Sequence, residues 1–295
     1  MKKAFLFLIL CYSEMILAAA CCGGGSSNTA VITNDDKAQF STTLSQSQVQ
    51  IDVDSQGVWS HRQTKETTKT LQLEGAMIFK DRFQAGLSVP VIERTRETQS
   101  SRGLGDSTLQ MGYEYLTNWD YHPWKPRAVG YLTVVVPTGR NINEATQEGL
   151  DARGKGFWSL GVGTIFTKIH RAWDFSAQFD IHKSFEKKIQ RGDESLQLTP
   201  GQGGQASLGA GYNFARWRWG FALSWIYEDP LITEGLTKDT SSAERYTTAT
   251  ASVAYMFKDE WGGVLSYSDQ ALFGDPLSTT LSKSVSLRMS YHWFR

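Results

Sequence analysis

The residues of this chain that could do chemistry lie on segments that alternate strictly in character. In residues 172–185 the odd positions from Trp173 to Ile181 are Trp, Phe, Ala, Phe and Ile, while Asp174, Ser176, Gln178, Asp180 and His182 take the even ones. Strand side chains alternate faces with period two, so two acids and an imidazole project from one face of one strand. By the same parity Glu74, Glu114, Arg218, Glu228, Arg288 and His292 fall on the polar side of their own segments. Around a shared aqueous axis such a set would line a selective path for a small solute. Without water it must pair internally, because a buried charge needs a partner. A barrel of about twelve strands allows either interior.

Nucleophilic catalysis would need a Ser–His pair oriented by a third polar group, placed where a lipid substrate could reach it. His182 and His292 share the parity of the inward polar residues, His122 and His170 fall in short turns, and His61 lies in a loop. None has a serine partner on the apolar face, so no enzymatic activity is expected, and a barrel-embedded lipid hydrolase ranks last among the functions weighed. Gly103-Leu104-Gly105-Asp106 lacks the Lys-Ser/Thr and the following helix of a phosphate loop. It reads as a turn entering a strand, with the Asp106 carboxylate capping that turn.

Composition narrows the field. Thirty basic and thirty acidic residues balance in the 295-residue chain, so no global basic footprint points to nucleic acid. Cys11, Cys21 and Cys22 are the three cysteines, which leaves the rest of the chain without a disulfide framework or thiolate metal site. No metal and no cofactor are expected. Met1-Lys2-Lys3, an apolar run and Ala18-Ala19-Ala20 read as a secretory signal over residues 1–20. Two processing routes fit: ordinary cleavage before Cys21, or acylation of Cys21 at a lipoprotein-like box. Residues 21–36 then read as a flexible periplasmic linker.

Stepping along the remainder, the alternation recurs over residues 71–79, 83–91, 109–115, 127–136, 158–166, 173–181, 208–214, 217–227, 246–257, 261–267 and 285–293. A less regular first strand lies near 40–53, where the apolar parity switches from even to odd, as a bulge would cause. That makes twelve strands. Their connections alternate between short ones (80–82, 117–126, 168–172, 215–217, 258–261) and longer polar ones (53–67, 93–103, 138–155, 185–203, 229–243, 271–281). Short turns at one rim and long loops at the other predict an all-β fold, a transmembrane antiparallel up-and-down barrel over 37–295, in the bacterial outer membrane. Trp119, Trp124, Trp173, Trp217, Trp219, Trp261 and Trp293 adjoin the short turns or the C-terminus, as an interfacial aromatic girdle requires. A propeller is disfavoured, since each period holds two strands where a blade needs four.

Gly103-Leu104-Gly105-Asp106, then a strand, then Pro137-Thr138-Gly139-Arg140, resembles a bacterial outer-membrane family named after the meta-pathway of phenol degradation. Cys21-Cys22-Gly23-Gly24-Gly25 and Asp35-Asp36-Lys37-Ala38-Gln39 resemble one proteobacterial subgroup. The resemblance implies a barrel and a channel for hydrophobic or aromatic compounds. The expected function is therefore a porin-like channel for passive uptake of small solutes, with a non-conducting structural or surface-binding barrel as the alternative. Expected partners are outer-membrane lipids, lipopolysaccharide and a small-molecule solute. Oligomeric state is left open.

Overall fold

The computed structural model describes residues 30–118, 122–191, 194–235 and 238–294, so Cys21 and Trp119 lie outside the described residues. In chain order the strands are β1 Asp36–Val53, β2 Trp59–Phe79, β3 Phe83–Arg96, β4 Gln99–Leu104, β5 Ser107–Leu116, β6 Arg127–Val136, β7 Ser159–His170, β8 Trp173–Ser184 and β9 Lys187–Arg191. They continue as β10 Glu194–Thr199, β11 Gln202–Phe214, β12 Trp217–Glu228, β13 Ile232–Glu234, β14 Lys238–Thr240, β15 Glu244–Met256, β16 Trp261–Asp269 and β17 Thr279–Phe294. Each barrel strand pairs antiparallel with its neighbour, β1 pairs with β17, and β2 pairs with β3. The sheet therefore closes. Because β4 pairs with β3 above the point where β5 does, β4 and β5 act as one interrupted stave, and the ring has twelve.

The faces are inverted relative to a protein in water. Ile181 is 67 % exposed, whereas Asp174 on the same strand is 3 % exposed. Phe83, Leu87, Leu132, Phe221, Leu265 and Leu287 are likewise exposed, and Glu74, Ser88, Glu114, Ser224 and Ser290 are buried. Removing a large apolar side chain from water is worth about 1.5–3 kcal/mol, so a belt of them demands hydrocarbon outside. No helix among the described residues is long and apolar enough to cross a membrane.

In β1 the pairing slips between Val49 and Ile51 against both neighbours, as the parity switch predicts. Below the bulge Phe40 and Leu44 face out, and above it Val53 is buried. At the short-turn rim, Lys80 and Asp81 adopt left-handed backbone (φ 50° and 59°), which lets the β2–β3 hairpin reverse within three residues.

The long-loop rim departs from expectation. Residues 53–67 and 93–103 are mostly strand: β2 begins at Trp59, β3 runs to Arg96, and β4 follows a tight turn. Strands of about 9–11 residues cross the bilayer, so the 21 residues of β2 stand well clear of it. The 185–203 and 229–243 connections carry β9–β10 and β13–β14, which join in a separate four-stranded sheet. Ile189 and Leu198 from that sheet bury against Phe157, with Leu196 and Leu231 beside them.

Residues 30–34, expected as the end of a flexible linker, run inside the ring and hydrogen-bond its wall. Ile32 is buried, donates its amide to Gln84 Oε1 (2.7 Å) and accepts from Gln84 Nε2 (3.3 Å). Arg127 Nη1 donates to the carbonyls of Thr33 (3.2 Å) and Asn34 (2.7 Å). A Cβ on Gly86 would come within 2.1 Å of the Ala30 carbonyl oxygen, so the absent side chain is what lets the segment pass. The barrel itself starts at Asp36, paired with Phe294. From that rim, residues 35 to 30 run inward.

Candidate functional site: the barrel interior

Two kinds of wall face the interior. The first is ionic. Arg218 donates to Asp174 from Nε (2.8 Å) and Nη2 (2.6 Å), a bidentate pair that Asn213 Nδ2 completes at 2.8 Å. Glu74 takes Arg288, Ser41 Oγ (3.0 Å) and Gln72 Nε2 (3.0 Å). Glu114 accepts from Arg127 Nη2 at 2.8 Å. Asp180 lies 3.4 Å from both Tyr131 Oη and Gln178 Nε2. Glu228 holds Lys155 from the β6–β7 connection and sits 3.2 Å from His182 Nε2. Each of the nine interior residues singled out by parity thus has a polar partner. Asp174 meets Arg218, Glu74 meets Arg288 and His182 meets Glu228, whereas Glu114, Asp180 and His292 take partners outside that set. Among these, Asp36 and Lys155 carry no alternation signal, since one opens a strand and the other sits in a loop.

His292 has an unexpected environment. Its Nε2 lies 2.8 Å from Ser290 Oγ and its Nδ1 2.5 Å from Asp36 Oδ2. This is the connectivity of a hydrolytic triad. Ser290, His292 and Asp36 are 3 %, 3 % and 2 % exposed, and none of them borders the interior cavity. A nucleophile must reach its substrate, and this serine is shut in. The cluster joins the first strand to the last.

The second wall is uncharged. A cavity of about 320 Å³ inside the ring is bounded by Thr43 and Ser45 on β1, Thr248, Thr250 and Ser252 on β15, Ser266 and Ser268 on β16, and Ser282, Ser284 and Ser286 on β17. Val31 and Thr33 of the inserted segment border it, as do the Asp174–Arg218 side through Arg218 and the Glu74–Arg288 pair. The serines recur at every second position over 266–268 and 282–286, which is the sequence signal for this wall. Each hydroxyl both donates and accepts, so the surface solvates a neutral polar guest without imposing a charge.

Outside, Trp173, Trp217, Trp219, Trp261 and Trp293 are half-exposed at the short-turn rim, and Trp124 is 87 % exposed. Their rings abut tyrosines: Trp217–Tyr255 at 4.6 Å, Trp261–Tyr291 at 5.0 Å and Tyr291–Trp293 at 4.5 Å between centroids. Trp158, Trp225 and Tyr227 form an exposed aromatic set towards the opposite rim.

The Gly103–Asp106 turn and the Pro137–Arg140 strand end meet in space. Thr138 Oγ1 donates to the Gly105 carbonyl (2.5 Å), and the Asp106 carboxylate accepts from the amides of Gly139 (2.9 Å) and Gly156 (3.0 Å). Asp106 therefore does not cap its own turn as expected; it ties the β4–β5 break to the β6–β7 connection. That connection carries Asp151, which accepts from the Thr146 and Gln147 amides (both 3.0 Å) and from Arg140 Nη1 (2.5 Å). Burial pushes its pKa up, but these bonds outweigh it and hold the carboxyl well below the usual range.

An outer membrane channel from Pseudomonas putida F1 has a similar structure, with a TM-score of 0.72 at 12 % identity over 91 % of this chain and 100 % of that one. The chain is less similar to a structure named as the TodX deltaS2S3 mutant monoaromatic hydrocarbon channel (TM-score 0.48, 14 % identity, 92 % and 95 % covered). The transport unit of the autotransporter AIDA-I from Escherichia coli stands at TM-score 0.47, 11 % identity, with 86 % and 90 % covered. No curated protein matches the sequence. A family model does match, over residues 29–270. The chain is a twelve-stranded barrel that belongs to the family described as "Putative MetA-pathway of phenol degradation".

Proposed function

We propose that this protein is a passive channel of the bacterial outer membrane for small solutes, aromatic ones included, and not an enzyme. The observation that carries the reading is a hydroxyl-lined cavity inside a barrel whose outer surface is apolar. Likeness to an outer membrane channel over nearly the whole chain supports it, as does membership of a family described by phenol degradation. In this reading Glu74, Glu114, Asp174, Asp180, His182, Arg218, Glu228, Arg288 and His292 hold the interior in shape through their pairs with one another and with Arg127, Tyr131, Gln178 and Asp36. The hydroxyl wall forms the path. The tryptophans at the short-turn rim act as the interfacial girdle, with outer-membrane lipid and lipopolysaccharide around the ring.

A closed, structural barrel is the second reading. It draws support from residues 30–34 inside the ring and from the packed loop sheet at the opposite mouth. Liposome swelling with solutes of graded size and planar-bilayer recording separate the two. Swelling that falls with solute size supports the channel, and liposomes that stay inert to the smallest solutes overturn it.

A further inference from the structure

The inner wall at the long-loop mouth holds an excess of arginine. Arg62 pairs with Asp52 (2.7 Å) and Glu66 (2.8 Å), and Arg96 pairs with the same Glu66 (3.2 Å). Two further guanidinium groups have no carboxylate within 4.0 Å among the described residues. Arg94 shares the parity of buried Gln84 and Ser88 through an unbroken β2–β3 register, so it faces inward, opposite Ser101 on β4. Arg153 reaches the same place from the β6–β7 connection, donating to Ser101 Oγ at 3.0 Å. It lies over Gly103, where a Cβ would come within 2.5 Å of its Nε. Gly103 thus makes the seat for this arginine.

Both Nε atoms are buried without an acceptor, and Arg94 has no hydrogen-bond partner among the described residues. Buried donors are normally satisfied, and an unsatisfied guanidinium is more costly than a neutral group. The outward neighbours at this level, Lys69, Glu93 and Arg102, are charged and in register with one another, so the site stands clear of the lipid. Burial holds Arg94 below its usual range; Glu66 opposes that shift and Arg96 adds to it.

We infer that Arg94 and Arg153 form a binding site for the oxyanion of a small solute, a carboxylate or a phosphate, at the outer mouth of the barrel. Two planar forks flanking Ser101 suit an ion with several acceptor oxygens, and charge-assisted bonds of this type are the strong ones. As a solute site it rests on the channel reading, but binding is measured without flux.

Sodium benzoate and inorganic phosphate are titrated separately, at constant ionic strength with chloride, into the full barrel in detergent. Calorimetry follows wild type, Arg94→Gln, Arg153→Gln and Arg102→Gln, and heat-modifiability on gels verifies each fold. Saturable binding by wild type and Arg102→Gln, weakened at least about tenfold in both other variants, is the expected result. Benzoate alone assigns a carboxylate site, and binding of both probes assigns a general oxyanion site. If Arg94→Gln fails to fold, Arg94→Lys keeps the charge, loses the fork and carries the same expectation. No saturable binding of either probe by wild type, or full binding by folded Arg94 and Arg153 variants, overturns the inference. Parallel swelling assays keep the two readings apart: a barrel that binds but does not conduct loses the channel and keeps the site.

Discussion

Asp174 and Arg218 are both buried, and each is most of the other's solvation. Removing one partner strands the other, so Arg218→Ala is expected to cost about 3–5 kcal/mol in denaturant unfolding from detergent. The Asp174→Ala, Arg218→Ala double variant should recover part of that loss, because no lone charge remains. Ser290, His292 and Asp36 make a different point. Triad connectivity is present, but a fluorophosphonate probe should leave Ser290 unlabelled in the folded barrel, and labelling would reopen the enzyme reading. The sequence marks both sites by parity alone, which reveals facing and not partnership. His292 could be placed on the inner wall, but Asp36, 256 residues away, becomes its neighbour only through ring closure.

Among the elements, the β6–β7 connection is the one most bound by its own hydrogen bonds, and Asp151 is their hub. A carboxyl whose folded pKa is depressed stabilises the loop above its unfolded pKa of about 3.9 and loses that contribution as pH falls through the folded value. The Thr146 and Gln147 amides should therefore stay protected from hydrogen exchange at pH 4. In Asp151→Asn they should exchange fast at every pH. Protection that collapses near pH 4 in the wild type would refute this account. The transmembrane strands were legible because lipid outside and polar residues inside give each one a period of two over its full length. The loop strands were not, since β13 and β14 span three residues each and the apolar cluster of the loop sheet is a few scattered side chains, Ile189, Leu196 and Leu198 with Leu231. Extended hairpins above the membrane lose the alternation as well, because both faces there meet water or charge. Residues 30–35 offered no signal, as an irregular segment hydrogen-bonded to side chains needs no periodicity of its own.

For the whole molecule, the inserted segment and the hydroxyl wall share one space. Deleting residues 23–34 should raise single-channel conductance several-fold while leaving heat-modifiability intact. An unchanged conductance would mean that the segment does not bound the path. The pairing of the first strand with the last has an effect on assembly. Leu44 and Leu287 face each other across that seam, which cannot exist before residue 294 has been made. The closed wall encircles part of its own polypeptide, since residues 30–34 lie against Gln84 and Arg127. A Leu44→Cys, Leu287→Cys crosslink would then report the moment at which the two free edges of the sheet become one continuous wall.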